Sequence, residues 1–329
     1  MKRIAFVSLM LALAVSISLT GASARAGAQA GGDLLRLLPD GGAVAVVDVQ
    51  RTLTSSFWTT VSSHDKIRGT FEKVQTELSG VGLRLSDVRT VAVVLPSGNT
   101  KDFTGVVSGS FNQNDILSRL RAKQNVKVTS ETYKNVEIFQ VNDAPKAVAT
   151  AQAEPKPAAK NNGFYFAFYD AGTIAIGNLA GVQASIDARS GARPSIAQNA
   201  KLGAVMAENP AAAIRFAAEV TPAMTQGIQT GGVPIPDLSS IKMVFGTIDV
   251  TSSIDINATL RHDTAEHAKA ISDQLNGLFG MLKGFLGSSS DPKLAPIAGA
   301  LDSVRIANTD VDVKITGSLS QDVLVHILK

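Results

Sequence analysis

The chain has 329 residues, 31 Lys and Arg against 28 Asp and Glu, no cysteine, and 45% hydrophobic residues, a length that fits about two globular units. Without cysteine there is no disulfide, thiolate nucleophile, Cys-ligated zinc or iron–sulfur cluster. The sequence pI of about 9.0 invites a nucleic-acid reading, which the distribution of charge along the chain argues against.

Lys2 and Arg3 precede a nearly continuous apolar run from Ile4 to Leu19, and Ala24-Arg25-Ala26 and Ala26-Gly27-Ala28 follow as small-x-small sites. Charge, greasy core and small-residue exit in that order are the grammar of a cleaved secretory signal. The apolar run is shorter than the ~20 residues that span a bilayer. We therefore expect residues 1–26 to be removed, an exported (periplasmic or secreted) product, and no transmembrane helix after cleavage. Residues 1–26 hold Lys2, Arg3 and Arg25 and no acid, so removing three of the 31 bases leaves 28, equal to the 28 acids. Residues 27–200 then carry +3 and residues 201–329 carry −3. Neither part has the concentrated basic surface that phosphate neutralisation demands, so no nucleic-acid partner is expected.

Along the mature chain, Leu34 to Leu38 reads as a short helix stopped by Pro39, and Ala43 to Val49 as a β-branched strand. Residues 53–78 read as helix, broken near Gly69, with Ile67, Phe71, Val74 and Leu78 at helical spacing. Strands are expected at 89–95 and 103–111, a polar-capped helix at 112–122, strands at 126–130, 135–141, 164–169 and 173–177, and a helix at 179–189. The second part repeats the order: a strand from Ala211 to Val220, a short helix to Gln229, strands at 241–250 and 253–261, a long helix from Thr264, strands at 303–307 and 310–317, and a helix at 320–328. We expect an α+β fold of two similar units, 27–200 and 201–329. Each would run strand-helix-strand-strand-helix-strand, with mostly antiparallel sheets covered by helices and the order duplicated internally. Ile254, Ile256, Ala258 and Leu260 alternate with polar residues, as do Val311, Val313 and Ile315, which predicts one packed and one solvated sheet face. Val91 to Leu95 is apolar on both faces and belongs in a sheet centre. The Ala, Pro and Lys of residues 143–163 predict a mobile excursion between strands.

Catalytic patterns are weak. The four histidines are His64, His262, His267 and His326; His262 and His267, five apart, stand about 140° apart on a helix and cannot share a metal from one face. Asp263 with Glu266 reads as a capping box instead. Ser63/Lys66, Ser239/Lys242 and Ser290/Lys293 match Ser-x-x-Lys but lack the Lys-Thr-Gly strand that this chemistry needs. Ser63-His64-Asp65 puts triad residue types in adjacent positions, whereas triads assemble from distant segments. No Gly-x-Ser-x-Gly elbow, P-loop or dinucleotide turn occurs. Asp310 and Asp312, read as neighbours on one strand face, lack the further oxygens of a calcium loop. No catalytic, cofactor-binding or metal-ligating residue is assigned, and no cofactor is expected.

Two apolar features stand out. Five of the 17 aromatics lie within Phe164 to Tyr169; on a strand the three Phe share one side, and Tyr165 and Tyr169 the other. In Gly277-Leu278-Phe279-Gly280-Met281-Leu282-Lys283-Gly284-Phe285-Leu286-Gly287, Ile271, Leu275, Leu278, Leu282 and Phe285 form a stripe widened by Phe279 and Leu286. The glycines form a ridge opposite. Its end is similar in pattern to viral fusion peptides, which lie in the bilayer interface. The candidate contact surface is Tyr165, Tyr169, Leu278, Phe279, Leu282 and Phe285. Against a lipid role stands the alternative that the apolar stripe covers the sheet while the glycines admit a second element.

Leu38-Pro39-Asp40-Gly41-Gly42 leading into Ala43 to Val49, with Asp87 to Val94 and the Phe103 to Phe111 strand before a capped helix, resembles exported bacterial proteins of unknown function. In these a Leu-Pro and a Val-rich strand follow the signal peptide. The resemblance implies a secreted or periplasmic α+β protein and transfers no catalytic residue. The favoured reading is an exported, non-enzymatic binding or envelope-associated protein whose partner is a lipid, another apolar ligand or an envelope protein. The alternatives are a periplasmic hydrolase with a Ser/His site, and a purely structural envelope component.

Overall fold

A computed structural model describes residues 32–97, 102–124, 126–143, 163–222, 238–288 and 295–328; the expected signal peptide, the Ala/Pro/Lys excursion and the helix to Gln229 fall outside these, wholly or almost so. The strands are β1 (Ala43–Asp48), β2 (Val88–Leu95), β3 (Thr104–Gly109), β4 (Val126–Tyr133), β5 (Val136–Asp143), β6 (Phe164–Asp170), β7 (Thr173–Gly177), β8 (Ile214–Glu219), β9 (Ile241–Val250), β10 (Ser253–His262), β11 (Arg305–Thr309) and β12 (Asp312–Ser320). They form one continuous sheet in the order β11-β12-β10-β9-β8-β1-β2-β3-β7-β6-β5-β4, antiparallel at every pairing. The α+β class with antiparallel strands stands as expected; the two separate sheets do not. β1 pairs with β8 from Ala43↔Ala218 to Val47↔Ile214, so the edge of the first part is used up by the second. An unpaired row of backbone groups there would otherwise be exposed.

The helices are α1 (Val49–Leu53), α2 (Ser56–Val61), α3 (Asp65–Ser79), α4 (Gln113–Ala122), α5 (Leu179–Arg189), α6 (Leu202–Ala207), α7 (Ala265–Ser288), α8 (Ala295–Leu301) and α9 (Gln321–Leu328). The expected helix over 53–78 is three pieces, and the breaks fall at Thr54–Ser55 and Ser62–His64 rather than at Gly69. Local hydrogen bonds decide this. The Asp48 side chain accepts from Arg51 N–H at the start of α1, and Ser55 accepts from Trp58 N–H at the start of α2, each satisfying a donor that a continuous helix would have left to its own carbonyls. Asn112 caps α4 by accepting from Asp115 N–H, as its sequence predicts. Residues 202–207, given no element in the sequence, form α6. The β4–β5 hairpin turns through Lys134 and Asn135, both at positive φ, the geometry of the two-residue turn that matches strand twist.

Both faces of the sheet are covered over most of its length. On one face, β2, β3, β6 and β7 bury Val91, Val107, Phe166, Ile174 and Ile176 under Leu78 of α3 and Ile116 and Leu120 of α4. On the other, Val44, Val46, Ala92 and Val106 meet Leu34, Leu38, Ile196 and the α6 residues Leu202 and Met206, and Ile138, Ala167 and Ala175 meet Val182 and Ile186 of α5. β2 lies in the middle of the sheet, which is why Val91 to Leu95 carries no polar alternation. Toward the β11 end the helices among the described residues lie on the first face: Phe57 and Val61 of α2 with Leu324 of α9 over Val250 and Ile254, then α7 over Leu260 and Val313.

Candidate apolar binding surface

α7 leaves the end of β10 after a two-residue turn. Thr264 Oγ1 accepts the His267 N–H at 3.2 Å, so Thr264 is the cap. Asp263, expected in that role, bonds to His267 Nδ1 at 2.6 Å and pairs with Lys242 at 3.4 Å. These two partners hold the exposed Asp263 carboxyl below its usual range, the His267 bond foremost. The first half of α7 is seated: Ala268, Ile271 and Ser272 are buried, with Leu275 packed beside Leu260, Val313, Ile306 and Ile315. Asn276 donates to the carbonyls of Ser272 and Ile306.

Beyond Asn276 the helix changes character. Leu286 is buried, Leu278 and Phe279 are half-buried, and Met281, Leu282 and Phe285 are exposed at 68%, 42% and 68%. A Cβ placed on Gly277, Gly280, Gly284 or Gly287 would meet nothing within 4 Å. Lys283 reaches Asp302 at 3.2 Å. The packed side of the helix is thus rotated toward Ala268, Ser272 and Phe279, away from the stripe through Leu278, Leu282 and Phe285. Met281 had no place in the sequence-derived surface. Its position four residues before Phe285 and next to the glycine ridge is the signal that would have found it.

The other predicted contact residues lie elsewhere. Tyr165 is 4% exposed and Tyr169 donates to Ser185 Oγ of α5 at 2.7 Å, with the Arg189 guanidinium 4.6 Å from its ring centre. Burial pushes the Tyr169 hydroxyl up to about 12. Both tyrosines pack under α5 on the sheet face opposite α7, so the structure joins Leu278, Phe279, Leu282 and Phe285 with Met281 and leaves the tyrosines apart.

The wholly apolar void between α3, α4 and the sheet measures about 50 Å³, below the ~150 Å³ of an engineered cavity that admits benzene. Two open clefts are polar: about 560 Å³ beside Arg84, Asp87, Asp115 and Arg119, and about 280 Å³ over Asn257, Thr259, Arg261 and Lys314. In the second, Arg261 is already bound in bidentate fashion by Asp312, at 2.8 Å for each bond. Asp310 sits at positive φ in the turn before β12, so it does not share a strand face with Asp312.

The histidines do not assemble the hydrolase geometry. His64 precedes α3, and its Nδ1 is buried without a partner, as is Nε2 of His326. The His–Ser hydrogen bond that forms joins His262 Nδ1 to Ser240 Oγ at 2.9 Å, both residues buried, while His262 Nε2 has no partner. A triad needs a carboxylate on the second ring nitrogen, and none is bonded there. Ser63 Oγ donates to the Thr60 carbonyl, and Lys242 Nζ donates to the Ser239 carbonyl. Among the described residues no cluster of three or more metal-capable side chains occurs, and no helix is long and apolar enough to cross a membrane.

No family model matches the chain, and no curated protein does. Among solved structures, TP0453 in crystal form III is similar with a TM-score of 0.49 and 8% identity over 89% of this chain and 97% of that one. Form I gives 0.46 and 7% over 89% and 96%, and form IV gives 0.45 and 7% over 89% and 95%.

Proposed function

We propose that this is an exported, envelope-associated protein that acts by binding rather than catalysis, through the apolar face of α7 between Leu278 and Phe285. The observation that carries the reading is the exposure of Met281, Leu282 and Phe285 on a helix whose other side is seated. Contiguous exposed apolar side chains of this size on a folded chain mark interaction surfaces. Export rests on the order of charge, apolar run and small residues over 2–28. The duplication of 27–200 and 201–329 belongs to the same proposal. What supports it is that β1-β2-β3 and β8-β9-β10 are both meanders followed by a helix, and that a later strand returns to the third: β7 to β3, β12 to β10.

The test is uptake of an anilinonaphthalene sulfonate probe by the native chain and by a Met281→Asp, Phe285→Asp variant. The native chain should take up the dye and the variant should lose most of that signal, with circular dichroism unchanged because both positions face solvent. Equal uptake by the two proteins overturns the reading.

A further inference from the structure

We infer that the outer edge of β4 is a self-association edge, on which a second copy of this chain lays its own β4 antiparallel about a twofold axis through Thr129, so that the two sheets become one. This goes beyond the reading of α7 and does not depend on it.

β4 ends the sheet, and no described strand lies on its outer side. Its eight residues pair with β5 from Val126↔Asp143 to Tyr133↔Val136 without a register shift, and they include no proline. Bulges, prolines and short length are the usual ways in which an edge is blunted, and β4 has none of them. The two-residue turn through Lys134 and Asn135 closes on a hydrogen-bonded pair, Tyr133↔Val136, and pair type alternates along an antiparallel ladder. Val128, Ser130 and Thr132 therefore turn their N–H and C=O groups outward. Among the described residues these groups have no other backbone partner.

Charge sets the occupant and the register. Lys127, Thr129 and Glu131 share one side of β4 and are exposed. Neither charge takes part in an ion pair among the described residues. Four residues apart on a strand, they stand about 13 Å from each other, too far to pair within one chain. In an antiparallel pairing centred on Thr129, Lys127 of each copy faces Glu131 of the other, twice over, and Thr129 faces Thr129. These are non-hydrogen-bonded positions, where side chains come closest. Val128 and Ser130 fall at hydrogen-bonded positions and exchange about four backbone bonds across the axis. The outward backbone groups and the charges thus ask for the same phase. Sliding one copy by two residues sets Lys127 opposite Tyr133 or Thr129 and loses both ion pairs. A twofold interface needs a patch complementary to itself. The other end of the sheet offers none: β11 has five residues, and Arg305 is their one charge.

One strand pairing buries less than the ~800 Å² per partner of a standard interface, so the equilibrium belongs between about 10 μM and 1 mM. Sedimentation equilibrium over that range at low salt, on the full chain expressed with its leader and recovered after export, is the test. The native protein should show a reversible monomer–dimer equilibrium. Glu131→Lys sets lysine against lysine and should weaken the dimer at least about fivefold, as should Lys127→Glu with the signs reversed. The double exchange, Lys127→Glu with Glu131→Lys, should restore it to within about twofold. Ser130→Pro removes an outward N–H at a place where an edge strand tolerates proline, and should abolish the dimer; if that variant does not fold, the charge exchange carries the test. A native chain that stays monomeric, single variants that dimerise as the native does, or a double variant that fails to recover overturns the inference. Hydrogen exchange at Val128, Ser130 and Thr132 names the rival occupant, residues 144–162 of the same chain, which follow β5 in the sequence and lie outside the described residues. Protection that grows with protein concentration supports the second copy. Protection that is independent of concentration means that the chain covers its own edge, and overturns it. No residue is shared with the α7 surface, so a failed dye test leaves this inference standing and a monomeric chain leaves the α7 reading standing.

Discussion

β6 and the end of α7 are both rich in large apolar side chains, and their surroundings treat them in opposite ways. Phe164, Phe166 and Phe168 point to one face of the sheet, where Phe166 stacks on Phe139 at 5.3 Å and meets Phe168 edge-on at 5.6 Å. Tyr165 and Tyr169 point to the other face, under α5. β6 is flanked by strands on both sides, with a helical layer over each face, so Phe164 to Ala167 are buried and Phe168 and Tyr169 half-buried. α7 rests on β10, β12 and the short edge strand β11. The five residues Arg305–Thr309 extend about 17 Å, whereas the 24 residues of α7 extend about 36 Å. The helix starts beside the far end of β11 and has passed it by about Asn276, which still reaches the Ile306 carbonyl. The rest of the helix overhangs the strand. An apolar residue is core or contact surface according to what lies opposite it.

The largest expected effect is on the covered side. Phe139→Ala removes a ring that is 1% exposed and stacked on Phe166, and should cost about 3–5 kcal/mol in urea unfolding. A loss under about 1 kcal/mol would mean that the aromatic layer is loosely packed and the contrast with α7 unfounded.

The second prediction divides α7 itself. Ile271→Ala in the seated half should cost about 2–5 kcal/mol, whereas Phe285→Ala, fourteen residues on, should change monomer stability by no more than about 0.5 kcal/mol. Equal costs at dilute protein would show that the overhanging half is packed.

A smaller effect depends on pH at the root of α7. Burial holds the His262 imidazole below its ordinary 6.5, with His267 and Lys242 acting the same way and Asp263 and Asp312 opposing. In the unfolded chain the ring titrates near 6.5. Below that pH the unfolded chain takes up a proton that the folded ring resists, so this contribution is complete above 6.5 and is lost as pH falls toward the depressed folded value. Melting curves at about pH 7.5, 6.5 and 5.0 should show the native midpoint falling on acidification, and a smaller fall in His262→Asn. An identical fall in both proteins would place the sensitivity elsewhere, with the exposed Asp263–His267 pair the next group to test.

Most strands and the longer helices were legible because their signals are local. Period-two alternation marked β10 and β12, the Asn112 cap marked α4, and two-faced hydrophobicity placed β2 under helices before any neighbour was known. The breaks at Thr54–Ser55 and Ser62–His64 were missed because short polar side chains there compete with the helix for backbone hydrogen bonds, an outcome that depends on geometry more than on composition. The candidate surface was legible in part. Leu282 and Phe285 are exposed, Leu278 and Phe279 sit halfway, Met281 joins them, and the tyrosines lie under α5.

Local patterns were enough to give the antiparallel α+β class, the positions of most elements, the amphipathic stripe of α7 and its glycine ridge, since these depend on neighbours a few residues apart. Packing settled that the strands join through β1 and β8 into one sheet, which face of α7 is seated, and where its support ends. Those outcomes depend on contacts between residues far apart in the chain. The 3.6-residue period states that a helix has an apolar side, but the elements packed against α7 set how much of that side is left for something outside the chain to cover.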